Sequence, residues 1–136
     1  MKISFDFDGT LEFREVQDFA KELIDRGHDV CILTTRYSDP MSYKWAKSNP
    51  EHAEALHNEL YEAAKHIGIK EINFTEYQWK TTKIDELGID IHLDDNWHNE
   101  VAVINNSNKA KAVWYAPRGK WKEQIFEIIG RDGQDG

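Results

Sequence analysis

Two aspartates one residue apart, followed by Gly and Thr, close the first ten residues: Met1-Lys2-Ile3-Ser4-Phe5-Asp6-Phe7-Asp8-Gly9-Thr10. The apolar run before them reads as a buried strand over residues 2–6. Side chains alternate along a strand, so Asp6 and Asp8 are expected to point the same way while the strand holds. Two carboxylates that close repel each other unless a cation or a shared proton compensates. Hard oxygen ligands without His or Cys suit Mg²⁺. The alternative is a plain Asp-Gly turn with no chemistry attached.

The elements that must position these residues alternate between strand and helix. Residues 13–26 carry Phe13, Val16, Phe19, Ala20, Leu23 and Ile24 at helical spacing, and Gly27 ends the pattern. Residues 28–33 read as strand two, followed by Thr34-Thr35-Arg36. Residues 37–50 are irregular. Residues 51–67 predict one continuous helix, with Pro50 in its first turn and Gly68 as its stop. Residues 70–74 predict a third strand, 80–87 a short helix, 89–93 a fourth strand, 111–115 a fifth and 120–129 a final helix. Residues 131–136 are expected to fray. The alternation predicts an α/β fold: a doubly wound three-layer sandwich around a mainly parallel five-stranded sheet. The 136 residues suit a single domain.

Composition narrows the function classes. Hydrophobic residues make up 40% and charged residues 31%, as in ordinary soluble chains. No apolar run reaches membrane-spanning length, and no signal-peptide core opens the chain. Cys31 is the only cysteine, so an intrachain disulfide and a thiolate metal cluster are both excluded. It lies in an apolar run and is expected in the core; a reducing, cytoplasmic setting fits. The net charge of −8 disfavours nonspecific nucleic-acid binding. The late cations Lys109, Lys111, Arg118, Lys120 and Lys122 read as a solvated surface.

Three predicted strands end in polar groups that phosphate chemistry can use. Strand one ends in Asp6 and Asp8, strand two in Thr34, and strand four in Asp94-Asp95. A parallel sheet gathers such ends on one edge, where open α/β sheets bind ligands. Lys80 opens the helix leading into strand four, near the same edge. Each residue has a plainer reading: Thr34 as a strand-end hydroxyl, Asp94-Asp95-Asn96 as a helix cap, Arg36 as a loop brace. Lys83, one turn after Lys80, is an alternative ammonium. His92 alternates with the apolar residues of strand four and reads as packed. Trp97 follows the Asp pair and is the tryptophan best placed to meet a ligand.

Taken in order, these segments resemble the haloacid dehalogenase-like phosphatases. Asp6-Phe7-Asp8-Gly9-Thr10 is similar to that family's first motif, Thr34 to its second, Lys80 to its third and Leu93-Asp94-Asp95 to its fourth. The resemblance spans roughly residues 1–116. It implies an Mg²⁺-dependent phosphomonoester hydrolase working through an aspartyl-phosphate on Asp6. Asp8 would be the general acid and base, with a raised pKa supplied by burial and a neighbouring anion. Thr34 would bind phosphoryl oxygens and Lys80 would neutralise charge. Asp6, the Asp8 carbonyl, Asp94 and Asp95 would hold the metal. Gly9, Thr10, Thr35 and Arg36 are the candidate phosphate- and substrate-binding residues. An aspartate at position 8 resembles the phosphatases and phosphotransferases of the family, which points to C–O–P rather than carbon–halogen chemistry.

Many members of that family carry an inserted cap domain. The short span from Thr10 to the first helix leaves no room for one, and residues 37–79 read as core plus one loop. The resemblance is therefore to a capless, minimal form with an open site. Its substrate would be a phosphorylated small molecule or a macromolecular end, with the loop 37–50 (Tyr37, Tyr43, Lys44, Trp45, Lys47) as a local lid. A nucleotidase and a polynucleotide-end phosphatase share this chemistry. A catalytically silent phosphate-binding module is the competing class. A response-regulator-like switch would need an acceptor Asp ending strand three, where the sequence has Phe74-Thr75-Glu76.

Overall fold

The computed structural model describes residues 1–134. Five strands form one sheet in the order β3-β2-β1-β4-β5, every neighbouring pair parallel. They are β1 (Lys2–Phe5), β2 (Asp29–Thr34), β3 (Glu71–Phe74), β4 (Ile91–Asp94) and β5 (Lys111–Trp114). The helices are α1 (Arg14–Asp25), α2 (Pro50–Ala55), α3 (Asn58–Ile67), α4 (Ala102–Ser107) and α5 (Trp121–Gln134). The expected α/β sandwich is present, with a sheet that is parallel throughout.

The strand alternation sorts residues onto two cores. Ile3, Phe5, Val30, Ile32, Ile91, Leu93 and Val113 pack against α1, α3 and α5. Cys31, Leu33 and Ala112 face the other way, against Ile84 and Ile89 and against Val101 and Ile104 at α4. Ser4 and His92 share that second face, as their parity in β1 and β4 requires. Asp6 and Asp94 continue the same parity at the strand ends. The sheet thus points both carboxylates toward the layer that carries Lys80. Cys31 is fully buried, and burial pushes its thiol up to about 12.

Several predicted elements are corrected. The helix expected over 51–67 is two helices, because the Leu56 carbonyl accepts a hydrogen bond from Arg36 Nη1 at 3.0 Å and the chain re-enters helix at Asn58. Residues 80–87 form a 3-10 turn (Lys80–Thr82) and further turns rather than a helix. β1 stops at Phe5, and a wide turn spans Phe7–Leu11. The irregular 37–50 segment holds two short 3-10 turns, Pro40–Ser42 and Lys44–Lys47. α4 had no sequence prediction. α5 continues to Gln134, so residues 131–134 extend the helix where fraying was expected; 135–136 lie outside the described residues. No helix among the described residues is long and apolar enough to cross a membrane.

Candidate active site

The carboxyl edge of β1 and β4 opens onto a cleft of about 650 Å³ lined by Asp6, Asp8, Thr35, Lys80, Asp94 and Asp95 among others. Asp6 follows the last residue of β1, and its amide donates to the Leu93 carbonyl at 3.0 Å. That bond ties the first acidic segment to β4. Lys80 is buried, and its Nζ donates to Asp6 Oδ1 at 2.9 Å and to Asp94 Oδ2. Lys83 does not compete: its Nζ donates to the Phe74 carbonyl at 3.0 Å.

Asp94 is held from three sides. Besides Lys80, His92 Nε2 donates to Oδ2 at 2.8 Å, and the Asn96 amide donates to Oδ1 at 2.9 Å. The Ser4 hydroxyl donates to His92 Nδ1 at 2.7 Å, which fixes the ring with its proton on Nε2. Burial holds His92 below the ordinary histidine range, so it is neutral. Burial also pushes the Asp94 carboxyl up, but the His92 hydrogen bond and the Lys80 ammonium outweigh it. The net effect leaves Asp94 below the usual carboxylate range.

Asp6 moves the other way. Burial raises it well above the ordinary aspartate range; the Lys80 charge opposes this, and the negative Asp94 adds to it. The two carboxylates share one ammonium. Asp95, exposed at the rim, adds a third carboxylate. One oxygen from each of Asp6, Asp94 and Asp95 lies within 4.8 Å of the others. Three carboxylates against one ammonium leave uncompensated negative charge, and the donors are all hard oxygens. This donor set fits a divalent cation such as Mg²⁺.

Asp8 is placed differently from the expectation. β1 has ended, so the strand alternation no longer governs it, and Asp6 and Asp8 point to different partners. The Asp8 carboxylate is exposed and sits on the Arg36 guanidinium, Nε to Oδ2 at 2.9 Å and Nη2 to Oδ1 at 2.6 Å. The burial expected around it is absent. It still lines the cleft, but its carboxylate stands outside the Asp6–Asp94–Asp95 group.

The candidate binding residues are partly engaged. Gly9 turns the chain at φ 76°, and an added Cβ would stand 2.7 Å from Asp95 Cγ. The Gly9 amide donates to Glu12 Oε1 at 2.5 Å. Thr10 is buried and donates its hydroxyl to Asp95 Oδ1 at 3.3 Å, bracing a carboxylate rather than presenting itself to the cleft. The Thr34 hydroxyl accepts the Arg36 amide at 3.3 Å. Thr35 lines the cleft, and its carbonyl accepts the Tyr77 amide at 2.7 Å.

Two residues at the site escaped sequence reasoning as contributors. His92 read as packed, and it is packed, but its ring also orients Asp94. Glu100, in the wide turn Trp97–Val101, lines the cleft almost wholly buried, and its Oε2 has no hydrogen-bond partner among the described residues. Burial pushes it up to about 7. An acidic residue in the turn after the Asp pair was the available signal. Trp97 lines the cleft, exposed, with its ring 5.6 Å from that of Trp114. The loop 37–50 contributes none of the described cleft lining. The late cations all face solvent.

No protein-family model and no curated protein sequence matches this chain.

Proposed function

We propose that this chain is a phosphomonoester hydrolase of the haloacid dehalogenase-like type, with Asp6 as nucleophile. The carrying observation is the buried Asp6 at the end of the central strand, hydrogen-bonded to a buried Lys80 that it shares with Asp94. A carboxylate is a weak nucleophile and needs a positioned, polarised phosphorus. Asp6, Asp94 and Asp95 would hold Mg²⁺, which supplies charge neutralisation and polarises a phosphoryl oxygen.

The chain's own residues do the rest. An Asp6 oxygen forms the new bond to phosphorus as the ester P–O bond breaks. Asp8, taking up a proton as it leaves Arg36 for the anionic cleft, delivers it to the departing oxygen. Water then attacks the aspartyl-phosphate, Asp8 takes its proton, and phosphate leaves with Asp6 restored. Asp8 must swing from Arg36 toward the cleft for these steps, and its exposure leaves it room to turn. Lys80 holds Asp6 in place and balances charge on the transferring group. Phosphoryl transfer depends mainly on positioning and charge stabilisation, and this set provides both. A reducing compartment such as the cytoplasm suits the single buried thiol.

The test is phosphate release from p-nitrophenyl phosphate and a panel of biological esters, with Mg²⁺, with EDTA and in Asp6→Asn. Metal-dependent turnover that vanishes in the variant is expected. Near-wild-type turnover in Asp6→Asn would remove Asp6 as nucleophile. Mg²⁺ and phosphate binding with no turnover on any ester would favour the silent binding module.

A further inference from the structure

A second hollow, of about 680 Å³, adjoins the acidic cleft. Asp95 and Trp114 line both, and Gly9 lines the hollow while abutting Asp95. The remaining walls are aromatic or apolar at Phe13, Tyr115 and Pro117, with Arg14 and Glu15 beside them. Phe13 and Trp114 leave 46% and 42% of their surfaces exposed. Large aromatic faces bared side by side at the mouth of a site lose favourable burial unless something covers them.

These rings are held in place. Phe13 stacks on Tyr115 with centroids 6.1 Å apart and planes 25° from parallel. Tyr115 packs on the buried Trp121 at 5.3 Å, and its hydroxyl donates to Glu15. Trp114 Nε1 donates to the Asp95 carbonyl at 3.0 Å. Fixed rings form a stacking slot at little further ordering cost. The Arg14 guanidinium makes no hydrogen bond or ion pair among the described residues and is a free donor at the rim. Glu15 supplies an acceptor.

Building on the phosphatase reading, we infer that this hollow is the base subsite for a nucleoside monophosphate. Asp95 belongs to the acidic cluster and also lines the hollow, so the two spaces share a wall. A ring bonded directly to the ester oxygen, as in phosphotyrosine, is tethered next to the phosphorus, whereas a base is carried one sugar further, toward the adjoining hollow. A sugar phosphate alone offers no planar face to these rings. A polynucleotide end would bring its next phosphates against Glu15 at the hollow, on a chain of net charge −8. One phosphate, one sugar and one base would occupy the cleft, its shared wall and the slot.

The experiment compares kcat/KM, with Mg²⁺, for AMP, UMP, ribose 5-phosphate, p-nitrophenyl phosphate and a 5′-phosphorylated tetranucleotide. Wild type, Phe13→Ala, Trp114→Ala and Trp114→Phe are measured, with matched unfolding midpoints as the folding control. Adenosine binding is titrated calorimetrically on the same proteins in EDTA. AMP or UMP should exceed ribose 5-phosphate by about 10-fold or more, the size of one base–aromatic stack. That excess should collapse in both alanine variants and survive in Trp114→Phe, with adenosine affinity falling in parallel. Equal kcat/KM for nucleotides and ribose 5-phosphate overturns the inference, as does an excess that persists in both alanine variants or a preference for the tetranucleotide. Turnover of none of the esters would sink the phosphatase reading instead. Adenosine titration then decides the subsite alone: binding weakened in both alanine variants upholds it, and absence of binding overturns it.

Discussion

Arg36 grips both carboxylate oxygens of Asp8 while its Nη1 holds the Leu56 carbonyl at 3.0 Å and the His57 Nδ1 at 3.2 Å. His57 in turn donates from Nε2 to the Tyr37 carbonyl at 2.8 Å. One guanidinium therefore joins the acidic turn after β1 to the break between α2 and α3. Its plane also lies over the Phe7 ring, 5.2 Å from the centroid.

The two ends of this link have different worth. Asp8 is exposed, so its ion pair contributes about 1 kcal/mol or less. Leaving the Leu56 carbonyl unpaired costs about 1–3 kcal/mol. Arg36→Ala should therefore lower stability by about 2 kcal/mol, and Arg36→Lys should not restore it, because an ammonium lacks the fork that serves both partners. Asp8→Asn should shift stability by about 0.5 kcal/mol or less yet cut turnover by about 100-fold or more. Urea unfolding and kcat on the three variants check this. A large stability loss in Asp8→Asn would mean that the carboxylate is a brace rather than an acid.

Lys80 and Lys83 should separate cleanly. Lys80→Met leaves two buried carboxylates without their ammonium, which costs about 3–5 kcal/mol, and turnover should vanish. Adding Mg²⁺ should recover part of that stability. Lys83→Met loses one hydrogen bond to a strand-end carbonyl, about 1 kcal/mol, and should keep most activity. Denaturation with and without Mg²⁺, alongside initial rates, decides between them. The reverse ranking would exchange their roles.

His92 makes stability depend on pH. Its folded pKa lies below the ordinary 6.5, so between the two values the unfolded chain binds a proton that the folded chain does not. Its contribution is therefore complete above pH 6.5 and is lost as pH falls toward the folded value, by about 1.4 kcal/mol per pH unit at most. In EDTA, the stability difference between wild type and His92→Asn should shrink from pH 7.5 to pH 5.5. A difference that grows as pH falls would mean that the buried ring is charged.

Gly9 and Asp95 cannot both keep their places if position 9 gains a side chain. The backbone at φ 76° already disfavours an L residue, by about 1–2 kcal/mol. The added Cβ would also press on the Asp95 carboxylate. Saturating Mg²⁺, at about 100 times its dissociation constant, should stabilise wild type by about 2.7 kcal/mol. Gly9→Ala should lose most of that gain, read as a smaller Mg²⁺-induced rise in unfolding midpoint. An undiminished rise would free Asp95 of any part in holding the cation.

The placement of Asp6 and Asp94 follows from local rules. Strand parity and the parallel order of the sheet put acidic strand ends on one edge, and both are readable from apolar periodicity. The Arg36–Asp8 pair is not readable that way. It joins residues 28 positions apart and depends on β1 ending one residue before Asp6. The same guanidinium interrupts the helix at Leu56, where Ala53, Leu60 and Ala64 keep an unbroken helical spacing. α4 has only six residues and one fully buried side chain, Ile104, too little for a periodic signal. Glu100 reads as one more surface acid until the turn at Trp97 tucks it under the cleft.

Cys31 has a practical consequence. The only thiol of the chain is sealed in the sheet and held almost entirely protonated at neutral pH, so alkylating dyes should pass it by. A single cysteine introduced at the rim of the cleft would then be the sole reactive handle, without first mutating the native one. Fluorophores or spin labels can be attached one position at a time, turning the untouched chain into a ready scaffold for watching ligands arrive.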